Sequence, residues 1–308
     1  MSTTASSISP AEFVRSANSS RVAYAVGGIS FGISSVHPAI RLTLDRGVME
    51  FQTEMENCDV EVEADWADHL VLPAGNAVFE SGGLWSAYSE HGGLSLYFQT
   101  DYLGPAPYKR AWFNPDFTRG RVSLLSRYFT PEIPVYPLEY PLDELLMIHK
   151  ISSGEGFEVH SCGVVTADGT GRLFVGHSGA GKSTSSRLWL KQPGARVLSD
   201  DRIIVRLHDG VPYMYGTPWH GDAGLAAPVR SPVHGIYLLQ HGKHNEIVQL
   251  PLCQAAAEVF ARVFAPYHNP VALTRTLSLV EKIVSLVSVS QFRFRPDESA
   301  IEEILLES

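Results

Sequence analysis

The run Gly176–Thr184, with the sequence GHSGAGKST, constrains the fold of this chain more than any other feature. It matches the phosphate-loop pattern G-x-x-x-x-G-K-[ST] at every required position. Leu173–Val175 before it is predicted as a strand and Ser185–Leu190 after it as a helix, which is the setting that such a loop needs. The sequence therefore predicts a strand–loop–helix unit that binds the phosphates of a nucleoside triphosphate.

The residue types in this run explain the chemistry. Glycines let the backbone turn tightly and point its N–H groups at an anion, and the start of the helix adds a positive dipole end. Lys182 is expected to reach the outer phosphates and the Ser183 hydroxyl to hold Mg²⁺. A chance turn rich in glycine and serine is the alternative. The predicted nucleotide-binding residues are Gly176, Ser178, Gly179, Ala180, Gly181, Lys182, Ser183 and Thr184.

A second acidic element follows about one helix later. The apolar pair Val197-Leu198 is predicted as a strand that ends at Ser199-Asp200-Asp201. Neighbouring side chains of an extended segment point to opposite faces, so one carboxylate can address a metal and the other an attacking hydroxyl. The alternative is an ordinary acidic strand end.

Three elements in this order resemble a known family. The segment His160-Ser161-Cys162-Gly163, a short hairpin, the loop Gly176–Thr184 and the run Leu198–Arg202 are together similar to the kinase domain of HPr kinase/phosphorylase. ATP-dependent phosphoenolpyruvate carboxykinase has the same order of elements. The resemblance covers Phe157–Leu207, about one sixth of the chain.

The resemblance implies a role for each matching residue. Lys182 would contact the outer phosphates, and Ser183 and Asp200 would hold Mg²⁺. Asp201 resembles the aspartate that takes the proton from the acceptor hydroxyl. His160 matches the histidine near the γ-phosphate, or the metal-binding histidine of the carboxykinases.

The chain also departs from this family. Thr184 stands where HPr kinase usually has an acidic residue, and its later segment with a phosphate-contacting arginine is not found. Arg230 is a candidate for that arginine, and a surface arginine is the alternative. Decarboxylating chemistry is disfavoured, because the chain is too short and lacks an arginine segment that would bind oxaloacetate.

The loop Thr217–Asp222 is unusual for a plain turn, since it places Trp219 and His220 between glycines. Trp219 is expected to form a wall of the acceptor pocket and His220 a polar contact there. A purely structural role for Trp219 is the alternative. The histidines in the segment His241–His244 are interpreted as part of a solvated turn.

The element pattern predicts an α/β fold with a flexible tail over residues 1–20, a β-rich domain over 21–140 and a kinase-like domain over 141–308. The first domain is expected to be mostly antiparallel, with a hairpin around Gly92-Gly93. Its predicted strands include Val22–Val26, Ile40–Leu44, Val60–Glu63, Leu84–Tyr88 and Leu94–Phe98. The second domain is expected to begin with a helix over Leu142–Ile151 and to include separate strands Phe157–His160 and Gly163–Thr166 and C-terminal helices over Cys253–Phe264, Thr274–Val287 and Glu298–Leu306.

Composition excludes several classes of protein. Hydrophobic residues make up 44% of the 308 residues, enough for a sizeable core, and the formal net charge of −9 argues against a nucleic-acid partner. Three separated cysteines fit a reducing compartment and predict no zinc site. The first twenty residues do not look like a secretory signal, and no segment is long and apolar enough for a membrane span. We therefore expect a cytoplasmic protein, with its oligomeric state left open.

The sequence as a whole predicts an ATP- and Mg²⁺-dependent kinase that acts on a hydroxyl, either a serine of a protein or peptide or a small alcohol. Two other readings remain. One is a regulatory module that binds nucleotide and switches conformation, and the other is a nucleotidase without a phosphate acceptor.

Overall fold

A computed structural model describes residues 21–129 and 131–307 of the chain. The predicted tail over residues 1–20 lies outside the described residues. The chain divides into two units. Of the described residues, one unit comprises 21–25 and 29–143, and the other comprises 26–28 and 144–307.

The first unit is built on an eight-stranded sheet. Glycine turns at Gly27-Gly28, Gly82-Gly83 and Gly92-Gly93 separate several of its strands, as the sequence predicts. A short helix, α1, spans Arg46–Met49. The strands are β1 (Arg21–Val26), β2 (Ile29–Ser35), β3 (Val60–Ala67), β4 (Phe79–Glu80), β5 (Trp85–Glu90), β6 (Gly93–Thr100), β7 (Gly104–Phe113) and β8 (Arg119–Leu125). Across the sheet they lie in the order β1-β2-β3-β8-β7-β6-β5-β4.

The expected hairpin around Gly92-Gly93 is confirmed, because β5 and β6 pair antiparallel on either side of it. Two other details differ from the prediction. β3 pairs parallel with both β2 and β8, so the middle of this sheet is parallel. The predicted strand Ile40–Leu44 makes only an isolated bridge from Leu42 to Val135. The alternating apolar residues of this segment, Ile40, Leu42 and Leu44, are nevertheless all buried.

The second unit is a mixed α/β structure around a nine-stranded sheet. Its helices are α2 (Leu142–Ile151), α3 (Lys182–Trp189), α4 (Leu252–Phe260), α5 (Pro270–Val284) and α6 (Ser299–Leu306). Its strands are β9 (Phe157–Val165), β10 (Gly171–Val175), β11 (Arg196–Ser199), β12 (Arg202–His208), β13 (Val211–Gly216), β14 (Arg230–His241), β15 (Glu246–Gln249), β16 (Val263–Phe264) and β17 (Ser288–Phe294).

The topology of this sheet brings the predicted site elements together. β10, β14 and β17 run parallel, and the loop Gly176–Thr184 leaves the carboxyl end of β10. β9 pairs antiparallel with β10 through one half and with β12 through the other. Pairings through β13 and β14 close a ring of five strands, β9-β12-β13-β14-β10. Ligands of such sheets bind at the carboxyl ends of parallel strands, where this loop begins.

The helix predicted over Leu142–Ile151 is confirmed with the same bounds. Three other elements differ from the prediction. The two strands expected over residues 157–166 form one continuous strand, Phe157–Val165, which carries four neighbours. The helix expected over Cys253–Phe264 ends at Phe260, and Val263–Phe264 pairs with β9 instead. The helix expected over Thr274–Val287 runs over Pro270–Val284, because Asn269 caps its start.

Trp189 at the end of α3 packs the helix against the sheet. Its side chain is 1% exposed and its ring lies 5.9 Å from that of Phe174. We expect Trp189→Ala to lower the free energy of unfolding of the second unit by about 3–5 kcal/mol, because it leaves a large cavity. Denaturant unfolding measures the change. Leu190→Ala, at a half-exposed neighbour, is the matched control and should change stability by less than about 0.5 kcal/mol.

Candidate functional site

The loop between β10 and α3 has the backbone conformation that its glycines predict. Gly179 has φ 80° and Gly181 has φ 102°, both in the region that favours glycine. Gly181 is the N-cap of α3, which begins at Lys182. The amino end of an eight-residue helix therefore opens onto the loop, where its unpaired N–H groups and dipole attract an anion.

Close packing also requires two of these glycines. A Cβ on Gly181 would lie 2.5 Å from the Phe294 ring, and a Cβ on Gly176 would lie 2.7 Å from the Ala180 side chain. Ala180 itself is buried in the core beneath the loop. The loop is thus held against the sheet by contacts that a larger residue would break.

Lys182 lies in the mouth of the loop. Its Nζ donates hydrogen bonds to the main-chain oxygens of Gly176 (2.9 Å) and His177 (3.2 Å). Burial lowers the pKa of this ammonium, and the negative charge of Asp201 opposes that shift. Two main-chain oxygens therefore hold the ammonium inside the loop.

The other predicted loop residues surround this mouth. Ser178 and Gly179 are exposed at its tip, and Ser183 and Thr184 are half-buried in the first turn of α3. The Ser183 side chain makes no hydrogen bond within residues 21–129 and 131–307, so its hydroxyl is available to a ligand.

His160 connects the loop to the acidic pair. Its main-chain oxygen accepts a hydrogen bond from the Gly176 N–H (3.3 Å), the first amide of the loop. Its side-chain Nε2 lies 2.8 Å from Asp201 Oδ1. One residue of β9 therefore touches the phosphate loop through its backbone and an acidic side chain through its imidazole. The structure places His160 and Asp201 beside the loop that carries Lys182.

Asp201 is held at both oxygens. His160 bonds to Oδ1, and the Arg202 guanidinium donates to Oδ2. Burial alone would raise the pKa of Asp201, but the hydrogen bond from His160 and the charges of Arg202 and Lys182 outweigh it and lower the pKa. Asp201 is therefore ionised at neutral pH and can accept a proton.

Arg202 is itself fixed by acidic and aromatic neighbours. Its Nε donates to Glu144 Oε1 (2.7 Å) and lies 3.4 Å from Glu158 Oε1. Its guanidinium also lies 4.2 Å from the centre of the Phe264 ring. These contacts, which the sequence did not reveal, orient the Arg202–Asp201 pair.

Asp200 binds the backbone of the loop after β13, a structural role that the sequence did not predict. The residue is 1% exposed. Its Oδ1 accepts from the amides of Gly221 (3.1 Å) and Leu225 (3.3 Å), and its Oδ2 accepts from the Ala223 amide (2.9 Å). Asp200 thus anchors the loop that contains Trp219 and His220. Its metal-binding role stays a prediction, since a metal would have to share these oxygens with three amides.

Trp219 and His220, which the sequence placed together in the acceptor pocket, differ in burial in the loop after β13. Trp219 is buried, and its indole N–H has no hydrogen-bond partner within the described residues. Its main-chain oxygen accepts from Ser199 Oγ (3.4 Å). His220 is exposed, with Nδ1 3.1 Å from the Gly221 oxygen. The burial of Trp219 agrees with a packing role, and His220 is the side chain that solvent reaches.

Arg230 does not lie at the loop. It is the first residue of β14, eight positions before Leu238, which pairs with Val175 at the start of the loop. An extended strand rises about 3.3 Å per residue, so this separation is on the order of 25 Å along the strand. The guanidinium lies 5.2 Å from the Tyr213 ring instead. Arg230 is therefore not placed to contact a phosphate in the loop.

His241 and Arg262 also border the loop. His241 Nε2 lies 2.8 Å from the Gly179 oxygen. Arg262 lines a small cavity with the loop residue His177, and its main-chain oxygen accepts from the His160 N–H (2.9 Å). Both belong to elements remote in sequence from the loop, so only strand register could have shown their proximity. The sequence predicts a turn or solvated loop at His241. The residue is exposed, but it is the last residue of β14 and bonds to the phosphate loop.

The residues at the loop fit Mg²⁺ by the chemistry of their donor atoms. Mg²⁺ binds through one or two carboxylates, hydroxyls and phosphate oxygens, and usually keeps several waters. The hydroxyl of Ser183 and the carboxylates of Asp200 and Asp201 are oxygen donors of this kind. Among the described residues, no cluster of three or more histidine, cysteine or acidic side chains forms a metal cage.

The chain is similar in structure to solved proteins. No protein-family model and no curated protein sequence matches the chain. A solved structure of the Hpr(Ser) kinase/phosphatase from Coxiella burnetii superposes with a TM-score of 0.28 and 13% identity, over 49% of this chain and 99% of that one. A superposition at this TM-score supports no inference about the activity of this chain. Over the ranges that the structure describes, no helix combines the length and apolar character needed to cross a bilayer.

Proposed function

We propose that this protein is a phosphotransferase that passes the γ-phosphate of ATP to a hydroxyl group, with Asp201 as the general base. The observation that carries the proposal is the position of His160, which bonds to the first amide of the phosphate loop and to Asp201. A proton acceptor is thereby fixed beside the loop. A module that only binds nucleotide has no need of one.

Binding and positioning of the triphosphate fall to the loop. In this proposal its N–H groups and the amino end of α3 attract the phosphates, and the Lys182 ammonium neutralises charge on the outer ones. Phosphoryl transfer gains most of its rate from such positioning and charge stabilisation. Mg²⁺ held by Ser183 and Asp200 would neutralise further phosphate charge when bound.

Proton transfer falls to Asp201. The acceptor oxygen attacks the γ-phosphorus, its proton passes to the Asp201 carboxylate, and the bond to the β-phosphate oxygen breaks to release ADP. His160 and Arg202 hold the carboxylate in one orientation from its two oxygens. Both contacts favour the ionised form, and by lowering the pKa of Asp201 they also make its carboxylate a weaker base.

The acceptor in this proposal is a serine of a protein or peptide, or a small alcohol. The exposed side chain of His220, on the loop that Asp200 anchors, is the proposed polar contact to it. Trp219 supports that loop from within.

The experiment incubates the protein with ATP and Mg²⁺ and follows ADP formation with and without acceptors. The acceptors are serine-containing peptides, free serine and small alcohols. We expect one class to accelerate ADP formation and to become phosphorylated. Rapid ADP formation that no acceptor changes would instead identify a nucleotidase. Nucleotide binding without ADP formation would identify a regulatory module.

A further inference from the structure

An exposed imidazole lies at the tip of the phosphate loop and has no role in the function proposed above. His241 is the last residue of β14 and pairs with Phe294, the last residue of β17. The two rings stack at 5.8 Å with an interplanar angle of 28°. Phe294 is 1% exposed and also covers Gly181. The His241 ring is therefore supported from within the protein and exposed on its outer side.

A hydrogen bond fixes this ring against the loop. His241 Nε2 lies 2.8 Å from the Gly179 main-chain oxygen, so this nitrogen carries the proton and donates it. The donor is then occupied and does not reach a phosphate. What His241 offers to a ligand is its flat outer face and, in the neutral form, Nδ1 as an acceptor.

We propose that His241 is the platform on which the nucleobase stacks. The inference rests on the proposed nucleotide binding by the loop. Phosphates lie against the loop amides, so the nucleoside leaves the loop at its rim, where His241 is placed. A purine stacks well on an aromatic face, and each such stack contributes about 1–3 kcal/mol. Because Phe294 and Gly179 already hold the ring, little rotamer entropy is lost on binding.

The test compares ligands with and without a base. Dissociation constants are measured for ATP and for inorganic tripolyphosphate, each with Mg²⁺. The variants are His241→Ala, His241→Phe, which keeps an aromatic face, and His241→Gln, which keeps a donor for Gly179 but removes the ring. We expect His241→Ala and His241→Gln to weaken ATP binding about 5- to 150-fold. Tripolyphosphate binding should stay within about twofold, and His241→Phe should bind ATP much as the unaltered protein does.

Three results would contradict the proposal that the nucleobase stacks on His241. First, His241→Ala could weaken the binding of ATP and of tripolyphosphate equally, and His241→Gln could restore the binding of both. That result would show that the residue only supports the loop. Second, His241→Phe could lose as much ATP affinity as His241→Ala. Third, His241→Ala could bind ATP normally. If the unaltered protein binds neither ligand, the proposed function itself fails and this inference fails with it, so the two failures are distinguishable.

Discussion

Lys182→Ala is expected to reduce nucleotide turnover by at least about 100-fold, the usual effect of removing one fixed charge from a reacting group. The Lys182 ammonium is held at the loop mouth by the oxygens of Gly176 and His177, and it is the positive charge of the loop itself. Its loss leaves the outer phosphates without that charge in both the bound and the transition state. Steady-state ADP formation measures the effect.

Two further variants separate this effect from a loss of folding. Lys182→Met keeps the buried stem of the side chain and should lose turnover as Lys182→Ala does, with a normal unfolding transition. Lys191→Ala removes an exposed lysine just beyond α3 and should leave turnover unchanged. Turnover in Lys182→Met close to that of the unaltered protein would remove Lys182 from the phosphate site.

Asp201→Asn is expected to lower the rate of phosphate transfer by about 100- to 10,000-fold, which is the contribution of a positioned general base. The amide has almost the same shape but cannot take the proton of the acceptor. Nucleotide affinity should change little, since Asp201 bonds to His160 and Arg202 and not to the loop amides. Single-turnover transfer rates and ATP dissociation constants test the two halves of this prediction.

Asp209→Asn is the matched control for that substitution. Asp209 is exposed in the turn between β12 and β13 and has φ 50°, a conformation that asparagine also adopts readily. The control should transfer phosphate at the normal rate. Transfer by Asp201→Asn within about threefold of the control, well short of the effect of losing a general base, would remove Asp201 from the base role.

The sequence predicted the parts of the site that depend on local pattern. The phosphate loop, the strand before it and the helix after it follow from glycine spacing and hydrophobic periodicity within twenty residues of Lys182. The turn at Gly92-Gly93 is equally local. The prediction that His160 and Asp201 share a site with the loop came from order along the chain, and strand register places all three together.

Contacts between distant segments could not be read from local pattern. The pairing of β14 with β10 places His241 near Gly179, and the same pairing puts Arg230 at the far end of the strand. The amide contacts of Asp200 depend on the path of the following loop, which no periodicity describes. Parallel pairing in the first unit was missed because its strands are joined by long connections.

In the proposed reaction, Asp201 and the phosphate loop together pass phosphate to a hydroxyl. The most direct measurement follows the labelled γ-phosphate of ATP in a single turnover with Mg²⁺ and a serine-containing peptide or small alcohol, in the unaltered protein and in Asp201→Asn. With the unaltered protein, the label should appear on the acceptor oxygen. Asp201→Asn should bind ATP without transferring the labelled phosphate. Label released only as inorganic phosphate, at equal rates in both proteins, would show that phosphate is not passed to a hydroxyl and that Asp201 is not the base.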